Sequence, residues 1–312
     1  MGPGGPPHRV RAVHRRGLAQ DLRRAPGRPR AADRGQRRGV ARTPPPLSRV
    51  PPGAGRLALH GVLAGAADRP PLLLVHGAAS SAAVWTLWQR EAAALGWSSL
   101  AVDLRGHGAS AAVDLASVSM ADYVDDVASA AARLAGPPVM VGWSMGGLVA
   151  LMAAARGLAA AVVGLGPSPP ARVRDAAAPL RPGTFGPEEY GIADAGAADQ
   201  PTMPDLDAAE RRIALASLGR ESRLARDERK AGVVLDPLPC PALVIAGTED
   251  ASFPPSTYAT LPFAADVLTA DGASHWGLVL GGRTVARLVP QVLGWVAARL
   301  PRSQRSGACQ ST

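Results

Sequence analysis

The 312-residue chain is long enough to bury a substantial core as one large domain or two medium ones. Its net charge of +9 is confined to the start: residues 1–56 hold fourteen Arg against Asp21 and Asp33, so the rest of the chain is slightly acidic and offers nothing to a generally acidic partner. Two cysteines, Cys240 and Cys309, make no disulfide framework and have no metal-ligand spacing; Cys309 sits in a polar tail, and a reducing, cytoplasmic setting is expected.

Residues 1–52 are rich in Arg, Pro and Gly without a hydrophobic period and read as a disordered leader or a mis-assigned start. Arg15-Arg16 raises a twin-arginine signal, but Gly17–Arg23 is not the apolar stretch such a signal needs. The arm also lacks interleaved aromatics, so no nucleic-acid partner is expected.

From about Gly55 the pattern changes. Arg56–Leu63 reads as a short hairpin, and Leu72–Val75 as a buried parallel strand ending at His76-Gly77. Helical sequence over Trp85–Leu95 leads to a strand at Ser99–Val102. A helix with Tyr123, Val124, Val127, Ala131 and Leu134 on one face follows over Ala121–Leu134. Pro138–Val141 is a strand, Met145–Arg156 a helix and Ala161–Leu165 a strand. Between Val139 and Gly166 the only charge is Arg156, as in a membrane span, yet six glycines punctuate the stretch, and two central strands around a buried helix give the same hydropathy. No membrane span is expected.

Residues 167–235 interrupt this rhythm with Pro, Ala and balanced charge, ten basic residues against eleven acids, and helix-like stretches near 187–194 and 205–218. Strands at Ala242–Ala246 and Asp266–Leu268 and an amphipathic helix at Thr284–Leu300 resume it. The pattern predicts a doubly wound α/β sheet in two parts, 53–166 and 236–301, interrupted by a helical insertion at 167–235, which the resemblance below makes a cap, with a disordered tail at 302–312.

Gly142-Trp143-Ser144-Met145-Gly146 lies between an apolar strand and a helix, the setting that holds a serine on a strained turn above a sheet. Serine needs a base. His8 and His14 fall in the leader, His60 in the hairpin, and His76 and His107 beside glycines in tight loops, which leaves His275 in the polar loop Asp271–Gly277. The base needs a carboxylate in turn. Asp250 follows the strand 242–246 at its carboxyl end, where open α/β sheets place their sites, and is preferred to its neighbour Glu249. Trp143, Met145, Trp276 and Phe253 are placed to line a pocket, or equally to pack the core.

Over about residues 55–300 the chain resembles the α/β-hydrolase superfamily, in its esterase, lipase and cofactor-free haloperoxidase-like branch. The resemblance rests on His76-Gly77, on Asp103-Leu104-Arg105-Gly106-His107-Gly108-Ala109-Ser110, on the Gly142–Gly146 elbow and on the histidine loop Gly272–Gly277, in that order. It implies an eight-stranded, mostly parallel sheet with a helical cap, and an oxyanion hole of the Ala78 and Met145 backbone N–H groups. It also implies hydrolysis of a small-molecule ester without metal or organic cofactor. Serine at the elbow argues against epoxide hydrolases and haloalkane dehalogenases, relatives with a carboxylate there. A haloperoxidase or perhydrolase and a carbon–carbon bond hydrolase share the triad; a non-catalytic binding protein usually lacks part of it.

Overall fold

A computed structural model describes residues 56–64, 69–194 and 196–300. The expected leader 1–52, the tail 302–312 and Cys309 lie outside them.

The strands β1 (Leu59–Val62), β2 (Leu72–Val75), β3 (Ser99–Val102), β4 (Val139–Trp143), β5 (Ala161–Leu165), β8 (Ala242–Gly247) and β9 (Asp266–Ala270) form one sheet in the order β1-β3-β2-β4-β5-β8-β9. Only β1 runs antiparallel, against β3. Two short strands, β6 (Thr184–Phe185) and β7 (Glu221–Ser222), pair apart from it. The sheet has seven strands among the described residues, one fewer than expected. Residues 56–63 form no hairpin, because β1 finds its partner in β3 instead.

The apolar runs are central because helices cover both faces. Every residue of β2, β4, β5 and β8 is buried, whereas the edge strands β1 and β9 are largely exposed. Side chains alternate between two cores. Leu72, Leu74, Val139 and Val141 face α1 (Thr86–Ala94) and α7 (Gly282–Arg299) with Trp85 and Trp88. Leu73, Val75 and Met140 face α2 (Met120–Ala131) and α3 (Met145–Ala155). Each such Leu or Val stabilises the fold by about 1.5–3 kcal/mol through burial.

The stretch that imitated a membrane span is β4-α3-β5. Its helix is apolar on every side because it packs at the centre of the domain. No described helix is long and apolar enough to cross a membrane.

Between β5 and β8 the chain forms β6, α4 (Ala208–Ala216), β7, α5 (Arg223–Ala231) and a 3₁₀ turn at Pro187–Tyr190. A reciprocal cap between Asp207 and Glu210 starts α4. Helix α5 was not anticipated from sequence: its nine residues RLARDERKA bury only Ala225, Asp227 and Ala231. The strand expected at 266–268 extends to Ala270, and α6 (Gly277–Leu280) precedes the terminal helix.

Candidate active site

The parallel strands end along one edge, and the loops leaving β2, β4, β8 and β9 converge there. At the end of β4 the backbone reverses at Ser144, with φ 56° and ψ −121°, a conformation rare outside glycine. Its surroundings over-determine it. Ser144 N–H donates to Leu165 at 3.0 Å, and the Ser144 carbonyl accepts from Gly147, Leu148 and Ser168. Both flanking glycines are sterically required. A Cβ on Gly142 would stand 2.2 Å from the Gly146 carbonyl oxygen, and one on Gly146 would stand 2.2 Å from that of His76.

His275 lies in the loop between β9 and α6. Its Nδ1 bonds to Asp250 Oδ2 at 2.7 Å. Asp250 is fully buried at the end of β8, and its Oδ1 accepts from the Ser252 and Phe253 amides at 2.8 and 2.9 Å. Burial opposes ionisation of this carboxyl, but the bond and charge of His275 and the two amides outweigh it and lower its pKa. Glu249, the alternative carboxylate, is exposed and makes no bond to His275.

Ser144 and His275 line one cavity of about 370 Å³. No hydrogen bond joins Ser144 Oγ to the imidazole in this arrangement; such bonds commonly tighten only when substrate binds.

Ala78 also lines the cavity, and among the described residues neither its amide nor that of Met145, the first residue of α3, has a protein acceptor. Phe253, Trp143 and Trp276 contribute to the walls. Trp143 packs against His275 and Trp276, with ring centroids 5.1 and 4.7 Å apart, and its Nε1 donates to the His275 carbonyl at 3.0 Å. It therefore both walls the cavity and holds the histidine loop. The Met145 side chain is a correction: it is fully buried in the core beside α2 and is not part of the cavity wall.

The other histidines fix loops. His76 accepts from Leu104 N–H at Nε2 and bonds the Gly77 carbonyl through Nδ1. Burial and the neighbouring His107 lower its pKa to about 4, so it stays neutral. Asp103 accepts from the Ala82 and Ala109 amides and from His60, tying the loop after β3 to the one after β2.

Two acids between β5 and β8 escaped the sequence reading. Glu221 is fully buried and accepts from Ala79 N–H at 3.0 Å and, through its other oxygen, from Ser222 N–H at 2.7 Å and Tyr123 Oη at 2.5 Å. His107 Nε2 faces it at 3.4 Å. Burial disfavours its charge, but His107 and Tyr123 more than offset this and lower its pKa to about 2. Ala79, at φ 53°, also accepts from Gly219 N–H at 3.0 Å, so residues 219–221 grip the loop after β2 from both sides. Asp205 similarly accepts from the Ser274 amide and hydroxyl, next to His275. Neither acid carries a local sequence signal.

Among the described residues no cluster of three or more His, Cys, Asp or Glu is placed to hold a metal ion.

Known proteins share this architecture. A thermophilic esterase from Thermogutta terrifontis superposes with a TM-score of 0.57 at 22% identity, covering 78% of this chain and 95% of its own. A monoacylglycerol lipase from Paleococcus ferrophilus gives 0.54 at 19% identity, covering 78% and 100%. A bromoperoxidase from Bacillus anthracis gives 0.55 at 18%, covering 76% and 95%. At such identities the likeness is one of fold. No curated protein matches in sequence. The model of the alpha/beta hydrolase family matches residues 72–288, from the first central strand into the last helix, and the chain belongs to that family.

Proposed function

We propose that the chain is a serine hydrolase that cleaves a carboxylic ester of a small, largely apolar substrate through an acyl-enzyme on Ser144. One observation carries the reading: a serine on a strained turn shares a cavity with an imidazole whose far nitrogen is bonded to a buried carboxylate.

Asp250, ionised and accepting only, places the His275 proton on Nδ1 and leaves Nε2 free to take the Ser144 proton. Ser144 Oγ attacks the ester carbonyl while His275 becomes an imidazolium that Asp250 stabilises. The Ala78 and Met145 amides receive the oxyanion, each worth about 2.7–4 kcal/mol in the transition state. His275 then protonates the departing alcohol, and water, deprotonated by the same imidazole, releases the acid. The aromatic walls favour an apolar acyl or alcohol group.

A fluorophosphonate probe should label Ser144 alone, and Ser144→Ala should lose p-nitrophenyl ester hydrolysis by about 10⁶-fold. Labelling at another residue, or wild-type turnover by Ser144→Ala, would remove the proposed nucleophile.

A further inference from the structure

Among the described residues Arg229 of α5 is the one arginine or lysine on the cavity wall, to which His275 also belongs. Its bonding is incomplete for a guanidinium. Nη1 donates to Ser168 Oγ and Nη2 to Tyr190 Oη, both at 3.2 Å and both to neutral acceptors. Nε is buried without a partner among the described residues. Among the described residues no carboxylate lies within ion-pair distance of it, because the nearby acids are engaged elsewhere. Glu189 pairs with Arg223 and Arg226, Asp227 with Arg181, and Glu228 accepts from the Met120 amide. Glu221 feels the Arg229 charge from beyond ion-pair distance, and its oxygens are bonded to Ala79, Ser222 and Tyr123. Glu249, the remaining acid on the cavity wall, is exposed to water.

The buried Nε does not face the cavity, so a ligand meets the terminal nitrogens; a guanidinium on a cavity wall whose terminal nitrogens have only neutral hydroxyl acceptors is matched to an anion that arrives with a ligand. Its position is close to the chemistry: the same Ser168 that accepts from Arg229 donates its amide to the Ser144 carbonyl at 2.9 Å. A planar guanidinium suits a planar carboxylate. One cation balances one negative charge, and the Ser168 and Tyr190 hydroxyls supply further polar partners. A phosphate dianion calls for a second cation, and the nearest candidates, Arg223 and Arg226, are already paired with Glu189.

We propose that Arg229 forms an anion subsite and that the substrate is an ester bearing a free carboxylate, of which monoesters of short dicarboxylic acids are the simplest. This rests on the ester-hydrolase reading of the same cavity. Trp143, Phe253 and Trp276 enclose the apolar carbons between the two polar ends.

The test compares kcat/KM for monoethyl glutarate and ethyl valerate at low ionic strength, by titration of released acid. The wild type should favour the charged ester by tenfold or more. Arg229→Met should bring the ratio to one or below, and Arg229→Lys should restore part of it. A wild-type ratio of one or less, or a ratio unchanged in Arg229→Met, overturns the subsite. A binding arm separates the two readings. Ser144→Ala should bind monoethyl glutarate in calorimetry at least tenfold more tightly than Ser144→Ala/Arg229→Met does. If that difference holds while no ester is turned over and Ser144 resists fluorophosphonate, the subsite stands and the esterase reading falls. If Ser144 is labelled and ethyl valerate is cleaved without a preference for the charged ester, the esterase reading stands and the subsite falls.

Discussion

The loops at the sheet edge and the segment between β5 and β8 contribute to the site in different ways. The edge loops present Ser144, His275 and Asp250 through backbone geometry: the buried strands β4 and β8 and the edge strand β9 stop together, and their turns project side chains over one rim. The intervening segment works through polar side chains that reach across the chain. Glu221 holds a loop 142 residues earlier, and Asp205 one 69 residues later. Sheet packing thus brings the candidate site residues together, and the segment sets how steadily they are held.

That contrast can be broken at either end. The largest effect is expected at the turn itself. Gly146→Ala forces a Cβ to within 2.2 Å of the His76 carbonyl oxygen and 2.3 Å of that of Val75, backbone atoms at the end of a buried strand that cannot give way cheaply. Ester hydrolysis should fall to background, together with a melting temperature lowered by several degrees; near wild-type activity would show that the turn tolerates relaxation.

Glu221→Gln should have an intermediate effect. The amide offers one acceptor oxygen where two carboxylate oxygens now serve three donors, so either Ala79 N–H or the Tyr123 and Ser222 pair loses its partner. We expect kcat to drop about tenfold to a hundredfold with KM little changed, as the proposed oxyanion role of the Ala78 amide requires of the loop that holds it. An equal loss confined to KM would assign Glu221 to substrate binding instead. The same variant has a pH signature. The Glu221 pKa falls on folding from 4.5 to about 2, so its stabilisation is complete above pH 4.5 and is lost as pH falls towards 2. His76, depressed from 6.5 to about 4 by burial, binds its proton first in the unfolded chain and adds a loss between those values. Melting temperatures taken from pH 6 downward should fall less steeply below pH 4.5 in Glu221→Gln than in the wild type.

The smallest effect is expected at Asp205→Asn, which keeps an acceptor for either the Ser274 amide or its hydroxyl but not both. A kcat loss of about threefold to tenfold is expected; a loss as large as that of Glu221→Gln would erase the distinction between the two clamps.

What the sequence disclosed follows the same division. The elbow and the acid after β8 were legible because each adjoins a short apolar strand whose end is visible in hydropathy alone, and the histidine loop because the other histidines fall in tight turns, the hairpin region or the leader. The hairpin reading of 56–63 failed because alternation identifies a strand without naming its partner, and β1 pairs with β3. Met145 was ambiguous between wall and core because a residue after the elbow has its N–H at the site and its side chain beneath it. Helix α5 and Arg229 were hidden by composition: a helix burying two alanines and one acid has no apolar stripe. Glu221 and Asp205 are two of eleven acids in a balanced segment, and nothing local marks an acid whose partners lie far along the chain.

The grip of residues 219–221 on Ala79 also bears on modularity. A lid that only roofs a cavity can be exchanged without disturbing what lies beneath it, but a transplant replacing all of 167–235 here would carry away the anchors of two loops that line the cavity. A chimera that keeps its chemistry must graft around Asp205 and Gly219–Glu221, which leaves Pro187–Tyr190 and the cavity-facing side of α5 as the exchangeable parts.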